Sequence, residues 1–324
     1  MSITITTGGV TMTGGGVSFT APPPSTPTAG WFAGGNSSSD QTSTVQRITY
    51  ATDTATATVR GPLDGVRYGQ GATSDLNYGW YAGGRIGSAL STVSRITYAT
   101  DTDTASVRGP ISYSAYFIAA TGNTTYGWYA GGDGGPGSTV SRITYATDTA
   151  TGTSRGPLSS TLGRMAATGT TTDGWFGGGY QRIPSQIQVS RVSRIAYATD
   201  TDTPTVRGPL SLARERLAAT GTPSYGWFAG GNEPGQFSRV DRIDYANDTA
   251  TASTRGPLSQ ARLGLAASTD SATYGWFGGG YKSPSPGHKS TVDRITYATD
   301  TATATVRGSL SASRSYLAAT SGVQ

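Results

Sequence analysis

Apolar residues along this chain come in short runs, each bounded by glycine, proline, threonine or aspartate. One cycle of runs reads LAATG, YGWFAGG, STVSRITYA and TATVR, with turn formers between them. Each run has the length of a strand and the β-branched and aromatic content that strands favour. The TDTAT stretch between the third and fourth runs suits a turn, since Asp can bond its own backbone there. Four short antiparallel strands are therefore expected in each cycle, and no helix.

The cycle repeats. The motif GWFAGG, GWYAGG or GWFGGG occurs six times and contains all six tryptophans: Trp31, Trp80, Trp128, Trp175, Trp227 and Trp276. Their spacings are 49, 48, 47, 52 and 49 residues, and six units fill residues 30–324. A single four-stranded sheet has two faces and cannot bury both alone. Stacking units radially solves this, so the period points to a β-propeller blade. The first unit begins at its second strand and the chain ends with an extra copy of the first strand, over 316–320. That strand can complete the first blade and close a ring of six. The fold class expected is all-β: a six-bladed propeller of four-stranded antiparallel blades.

Composition agrees with this reading. Glycine makes up 47 of 324 residues and only 13% of residues are charged, about half the ordinary share. Nearly all basic charge is arginine and nearly all acidic charge is aspartate, which argues against long Glu- and Lys-rich helices. There is no Cys and one His, so thiolate sites, disulfides and sites needing two histidines are excluded. No apolar run of about 18 residues is present to span a membrane as a helix, and the N-terminus lacks the basic start and apolar core of a secretion signal.

The units resemble the kelch repeat. The glycine doublet Gly34–Gly35, Tyr50, the Thr-rich turn over 53–56, Gly61-Pro62-Leu63 and Arg67 match its pattern, and the resemblance covers all six units. They depart from it in strand four, where the usual Trp is Val, Ser or Thr. The wording TYATDTATATVRGPLS also resembles repeat structural proteins of tailed phages of marine cyanobacteria. In a kelch-type blade, the loop between strands two and three and the connection from strand four to the next strand one emerge on the same face. That two–three loop is where length varies here. From each strand-three arginine to the next Trp is 33 or 34 residues, while from Trp to its own arginine the distance runs from 14 to 19. Variable surface loops commonly carry recognition. They hold Arg85, Tyr180, Arg182, Arg191, Phe237, Arg239, Tyr281, Lys282, His288 and Lys289, which form the candidate binding surface.

The repeated residues have a structural reading. Twelve arginines (Arg47, Arg95, Arg142, Arg194, Arg242, Arg294 and Arg60, Arg108, Arg155, Arg207, Arg255, Arg307) and six turn aspartates (Asp53, Asp101, Asp148, Asp200, Asp248, Asp300) recur in every unit. One copy per unit suits pairing between blades better than a phosphate or sialic-acid site. The same holds for the six tryptophans, which fit packing between blades better than sugar stacking. Asp101-Thr-Asp103 has the spacing of calcium ligands but lacks the Gly and bidentate Glu of such loops. No basic run supports nucleic-acid binding, no P-loop is present, and a triad would have to use His288 in a Pro/Gly-rich loop. An enzyme, a cofactor and a metal are not expected.

Residues 1–29 lie outside the repeat. Alternating β-branched residues such as Ile3 and Ile5, then the APPPSTPT stretch, suit an extended arm that adds strands to a partner. The expectation is a non-enzymatic structural or adhesion protein of a phage virion. It would be held to other virion proteins by 1–29 and would display the propeller toward host surface glycan or protein. A homo-oligomer is compatible with this; nucleic acid and membrane insertion are not expected. A carbohydrate-binding lectin and a kelch-like interaction module are the alternatives.

Overall fold

The computed structural model describes residues 3–4, 10–13, 16–19, 27–184, 186–284 and 287–322. Near the N-terminus, Ile3–Thr4, Val10–Thr13 and Gly16–Phe19 pair into a three-stranded antiparallel sheet. The rest is propeller-like, built on six four-stranded antiparallel sheets. In the second unit the strands are Gly71–Ser74, Tyr78–Ala82, Val93–Thr97 and Ser106–Arg108, numbered here from the innermost outward. The other units repeat this order and register. In the first unit the inner strand is Ala318–Thr320, paired antiparallel with Ala29–Ala33. Each inner strand lies against the next, and Ala318–Thr320 touches both Ala266–Thr269 and Gly71–Ser74.

Strand two runs Gly-Trp-aromatic-small and is buried almost throughout. It ends at the glycine doublet, where the chain turns with positive φ, +65° at Gly34 and +104° at Gly35, a region costly for any residue with a Cβ. Strand three stops at Thr49, and Tyr50–Thr52 forms one turn of 3-10 helix. The same short helix follows strand three in every unit, so the expectation of no helix fails at this point. The tyrosine leaves the strand because its ring is needed elsewhere, stacked on a tryptophan of the neighbouring sheet.

The core lies between sheets. Trp31, Ala33 and Val45 of the first unit pack with Leu63, Tyr81, Ile96 and Ala105, and equivalent clusters recur around the structure. Close approach also explains the Gly of each Gly-Pro or Gly-Ser step after strand four. Gly61 donates its N–H to the Asp101 carbonyl at 2.8 Å, and a Cβ there would overlap the Asp103 carbonyl.

Candidate functional site

The recurring residues meet at the interfaces between units. Trp31 Nε1 donates to Asp101 Oδ2 at 2.9 Å, Arg47 Nη1 reaches the same oxygen at 3.0 Å, and Arg60 Nε lies 3.4 Å from it. Trp31 also stacks on Tyr98 with centroids 3.9 Å apart. This arrangement recurs at every unit. At the sixth, Trp276, Arg294 and Arg307 gather on Asp53 of the first unit. The twelve arginines, six aspartates and six tryptophans are therefore used between units. Asp does not cap its own turn as expected: its carboxylate faces its neighbour's indole and guanidinium groups.

Four further arginines are buried, a setting the sequence reading assigned to none of them, Arg67 of the kelch-like pattern included. Arg67, Arg214, Arg262 and Arg314 occupy one repeat position after strand four and are almost completely buried. Arg214 pairs with Asp241 at 2.8 Å and Arg262 with Asp293 at 2.7 Å. Arg67 uses Asp64. Arg314 instead donates to the Gly34 and Thr44 carbonyls, and burial holds its pKa down at about 10. Ala115 and Leu162 stand at this position in the other two units.

The two–three loops and the four–one connections share one face, where they interlock. Asn36 bridges to Ser315, Tyr68 to Arg85, Tyr116 to Asp133, Glu215 to Asn232 and Leu263 to Tyr281. At the centre of this face, six equivalent residues point their backbones at one another. Phe117 N–H donates to Gly69 O, Arg164 to Phe117, Arg216 to Arg164, Gly264 to Arg216, Tyr316 to Gly264 and Gly69 to Tyr316, at 2.5–3.0 Å. All six residues have φ between +55° and +71°. Four of them are not glycine, and such a conformation costs about 1 kcal/mol or more at each.

The side chains at this centre form a cluster. Phe117 packs against Tyr116 at 5.0 Å and Tyr316 at 5.1 Å, with Tyr68 edge-on at 5.8 Å. Arg164 bonds Asp133 at 2.8 Å and Glu215 at 2.9 Å, and Arg216 lies 3.4 Å from Glu215. Burial would lower the Arg164 pKa, but the two carboxylates outweigh it and raise it. Asp133 and Glu215 are buried while Arg164 and Arg216 are partly exposed, so the cluster sets two half-buried guanidinium groups against two buried carboxylates beside aromatic rings. Beside it is a small cavity of about 90 Å³. Below it, toward the opposite face, an uncharged axial cavity of about 380 Å³ is lined by inner-strand residues such as Ala120, Thr121, Ala219 and Thr220.

The ten loop residues occupy this face in different settings. Arg85 and Tyr180 adjoin the central cluster: the Arg85 guanidinium lies 5.1 Å from the Tyr116 ring, and that of Arg164 lies 5.0 Å from Tyr180. Arg182 donates to the Gly132 and Gly135 carbonyls, and Arg191 to Ser160. Arg239 donates to Ser211 and Thr254, and with Phe237 it borders an open depression. Tyr281 stacks edge-on against His288, whose Nδ1 is 3.0 Å from Ser315 Oγ. Burial lowers the His288 pKa. Among the described residues, neither Lys282 nor Lys289 has an ion-pair partner.

The loops were found by their changing length. The central residues Phe117, Arg164, Arg216 and Tyr316 were missed because their spacing never changes. Each stands two residues before its inner strand. The available signal was substitution: this one position carries Gly, Phe, Arg, Arg, Gly and Tyr inside a nearly constant stretch.

No protein-family model matches the chain, and no curated protein sequence matches it.

Proposed function

We propose that this chain is a non-enzymatic attachment module of a phage virion: a closed six-bladed, kelch-like propeller, carried by its N-terminal segment, with one face turned toward a host surface or a neighbouring virion protein. The observation that carries this reading is the division of labour between repeated and varied residues. The repeated charged and aromatic residues are consumed between units, whereas the changes in length and most changes in charge fall on one face. The pairing of Ala318–Thr320 with Ala29–Ala33, and the return of the Trp–Arg–Asp arrangement from unit six to unit one, support a closed ring. The kelch-like doublet and turn, and the likeness to phage repeat proteins, support the assignment to a particle.

Mass spectrometry of purified particles tests it. The protein is expected among the virion proteins of the phage that encodes it, and its absence there overturns the reading. Deleting 1–29 is expected to release the propeller from the particle.

The second reading is a lectin, favoured by the central cluster. Paired guanidinium and carboxylate groups beside aromatic faces suit a neutral polyol, which needs both donors and acceptors over a stacking surface. A glycan array tests this with Arg216→Ala beside Tyr281→Ala and Lys282→Ala. Binding lost only in Arg216→Ala places the sugar at the centre; binding lost in the Tyr281 and Lys282 variants places it on the sixth loop.

A further inference from the structure

On the face opposite the loops, the six units present one guanidinium each at an equivalent point; four cover it with a tyrosine ring and a fifth places a carboxylate beside it. Arg95, Arg142, Arg242 and Arg294 lie 4.1–4.4 Å from the rings of Tyr78, Tyr126, Tyr225 and Tyr274. In unit four Asp173 takes the tyrosine's place, with its Oδ1 3.7 Å from Arg194 Nε. In unit one the position is Ala29, and no side chain covers Arg47 among the described residues.

The consequences are local and measurable. Arg47 is 29% exposed, against 17–23% for the four arginines under tyrosine, and Arg194 beside Asp173 is 30% exposed, so the ring is what shields this position. Trp31 is 6% exposed, and the other five tryptophans are 0–3%. A cavity of about 380 Å³ opens here, lined by Pro27, Ala29, Trp31, Arg47, Leu76 and Tyr98. A second departure from the repeat falls in the same cleft. Leu76, on the facing loop, is 45% exposed, where the corresponding loops carry Thr124, Thr171, Pro223 and Ser271. One change removes an aromatic ring and the other supplies an apolar wall.

We propose that this cleft is a receptor for the aromatic side chain of a partner polypeptide, a tyrosine or phenylalanine that fills the place held by tyrosine in four other units. The guanidinium of Arg47 offers its face to the ring, as its equivalents do. Leu76 and Pro27 supply apolar contact, which favours a ring over a bare carboxylate. The site lies on the face away from the variable loops and goes beyond the function proposed above.

The test is titration of the full chain with N-acetyl-tyrosinamide, following the tryptophan indole N–H signals by NMR. A saturable shift confined to Trp31 is expected. Ala29→Tyr fills the cleft from within and should abolish the shift while the protein keeps its melting temperature, since four units carry Tyr naturally. Leu76→Thr, a change on an exposed loop, should weaken binding severalfold without filling anything. An unshifted Trp31 in the wild type overturns the proposal. So does a shift that survives Ala29→Tyr, or preference for a neutral sugar such as glucose over the tyrosine amide.

Discussion

Two sets of six equivalent positions behave in opposite ways. The turn aspartates are identical in all units, and each receives an indole and a guanidinium at hydrogen-bond distance from its neighbour. The positions at the centre of the loop face share one left-handed conformation and one backbone hydrogen-bond pattern, yet carry four different residue types. Where a side chain makes the joint, its identity is held constant. Where the backbone makes the joint, the side chain is released to vary. The centre of the loop face therefore combines one repeated backbone frame with varied side-chain chemistry.

The largest effect should come from breaking a joint made by a side chain. Asp200→Ala leaves the Trp128 indole and the Arg142 and Arg155 guanidinium groups without their shared acceptor. Removing one partner of such a buried set costs about 3–5 kcal/mol, to be read as a drop in the urea midpoint. A loss under about 1 kcal/mol would show that the aspartates do not hold the units together.

Adding a joint should have a smaller effect of the opposite sign. Gln46 Oε1 accepts from Ser311 N–H as Asp293 Oδ2 does from Ser259 N–H, and Gln46 Nε2 is buried without an acceptor. Gln46→Glu supplies a carboxylate that Arg314 does not have among the described residues and should stabilise the fold by about 1–2 kcal/mol, raising the melting temperature. An unchanged or lower value would show that Arg314 is satisfied by carbonyls alone.

At the centre of the loop face, the comparison sharpens by separating backbone from side chain. Arg164→Gly and Arg164→Ala lose the same ion pairs, but φ is +60°. The glycine variant should be the more stable of the two by about 1 kcal/mol. Equal stabilities would mean that the left-handed conformation carries no cost there. The smallest effect concerns His288. Burial lowers its pKa from 6.5, so folding favours the neutral ring. Stability should fall as pH drops through about 6.5, because the unfolded chain takes up the proton more readily. His288→Gln should flatten that part of the pH profile.

Much of this architecture was legible in the chain. Period, strand order and the first strand's displacement to the C-terminus follow from short-range patterning and from Trp spacing alone. Identical Arg and Asp in every unit correctly signalled pairing between units. The short helix on Tyr-Ala-Thr was not legible, because Thr and Tyr favour strands and the tyrosine leaves its strand only to stack on a neighbour's Trp. The burial of the arginines after strand four was not legible, since nothing local marks Arg262 as buried and Arg239 as partly exposed.

The repeat, the strand-forming runs and the confinement of length change to one loop are properties of residues near one another in the chain, and the sequence alone sets them. Which aspartate receives Trp31, which buried arginine finds no counter-charge among the described residues and which cleft no described side chain covers are settled only in the folded molecule. Trp31 and Asp101 are 70 residues apart, and Trp276 meets Asp53 across most of the chain. Their meeting depends on two sheets packing face to face, and burial then turns a repeated residue into a satisfied, unsatisfied or vacant site.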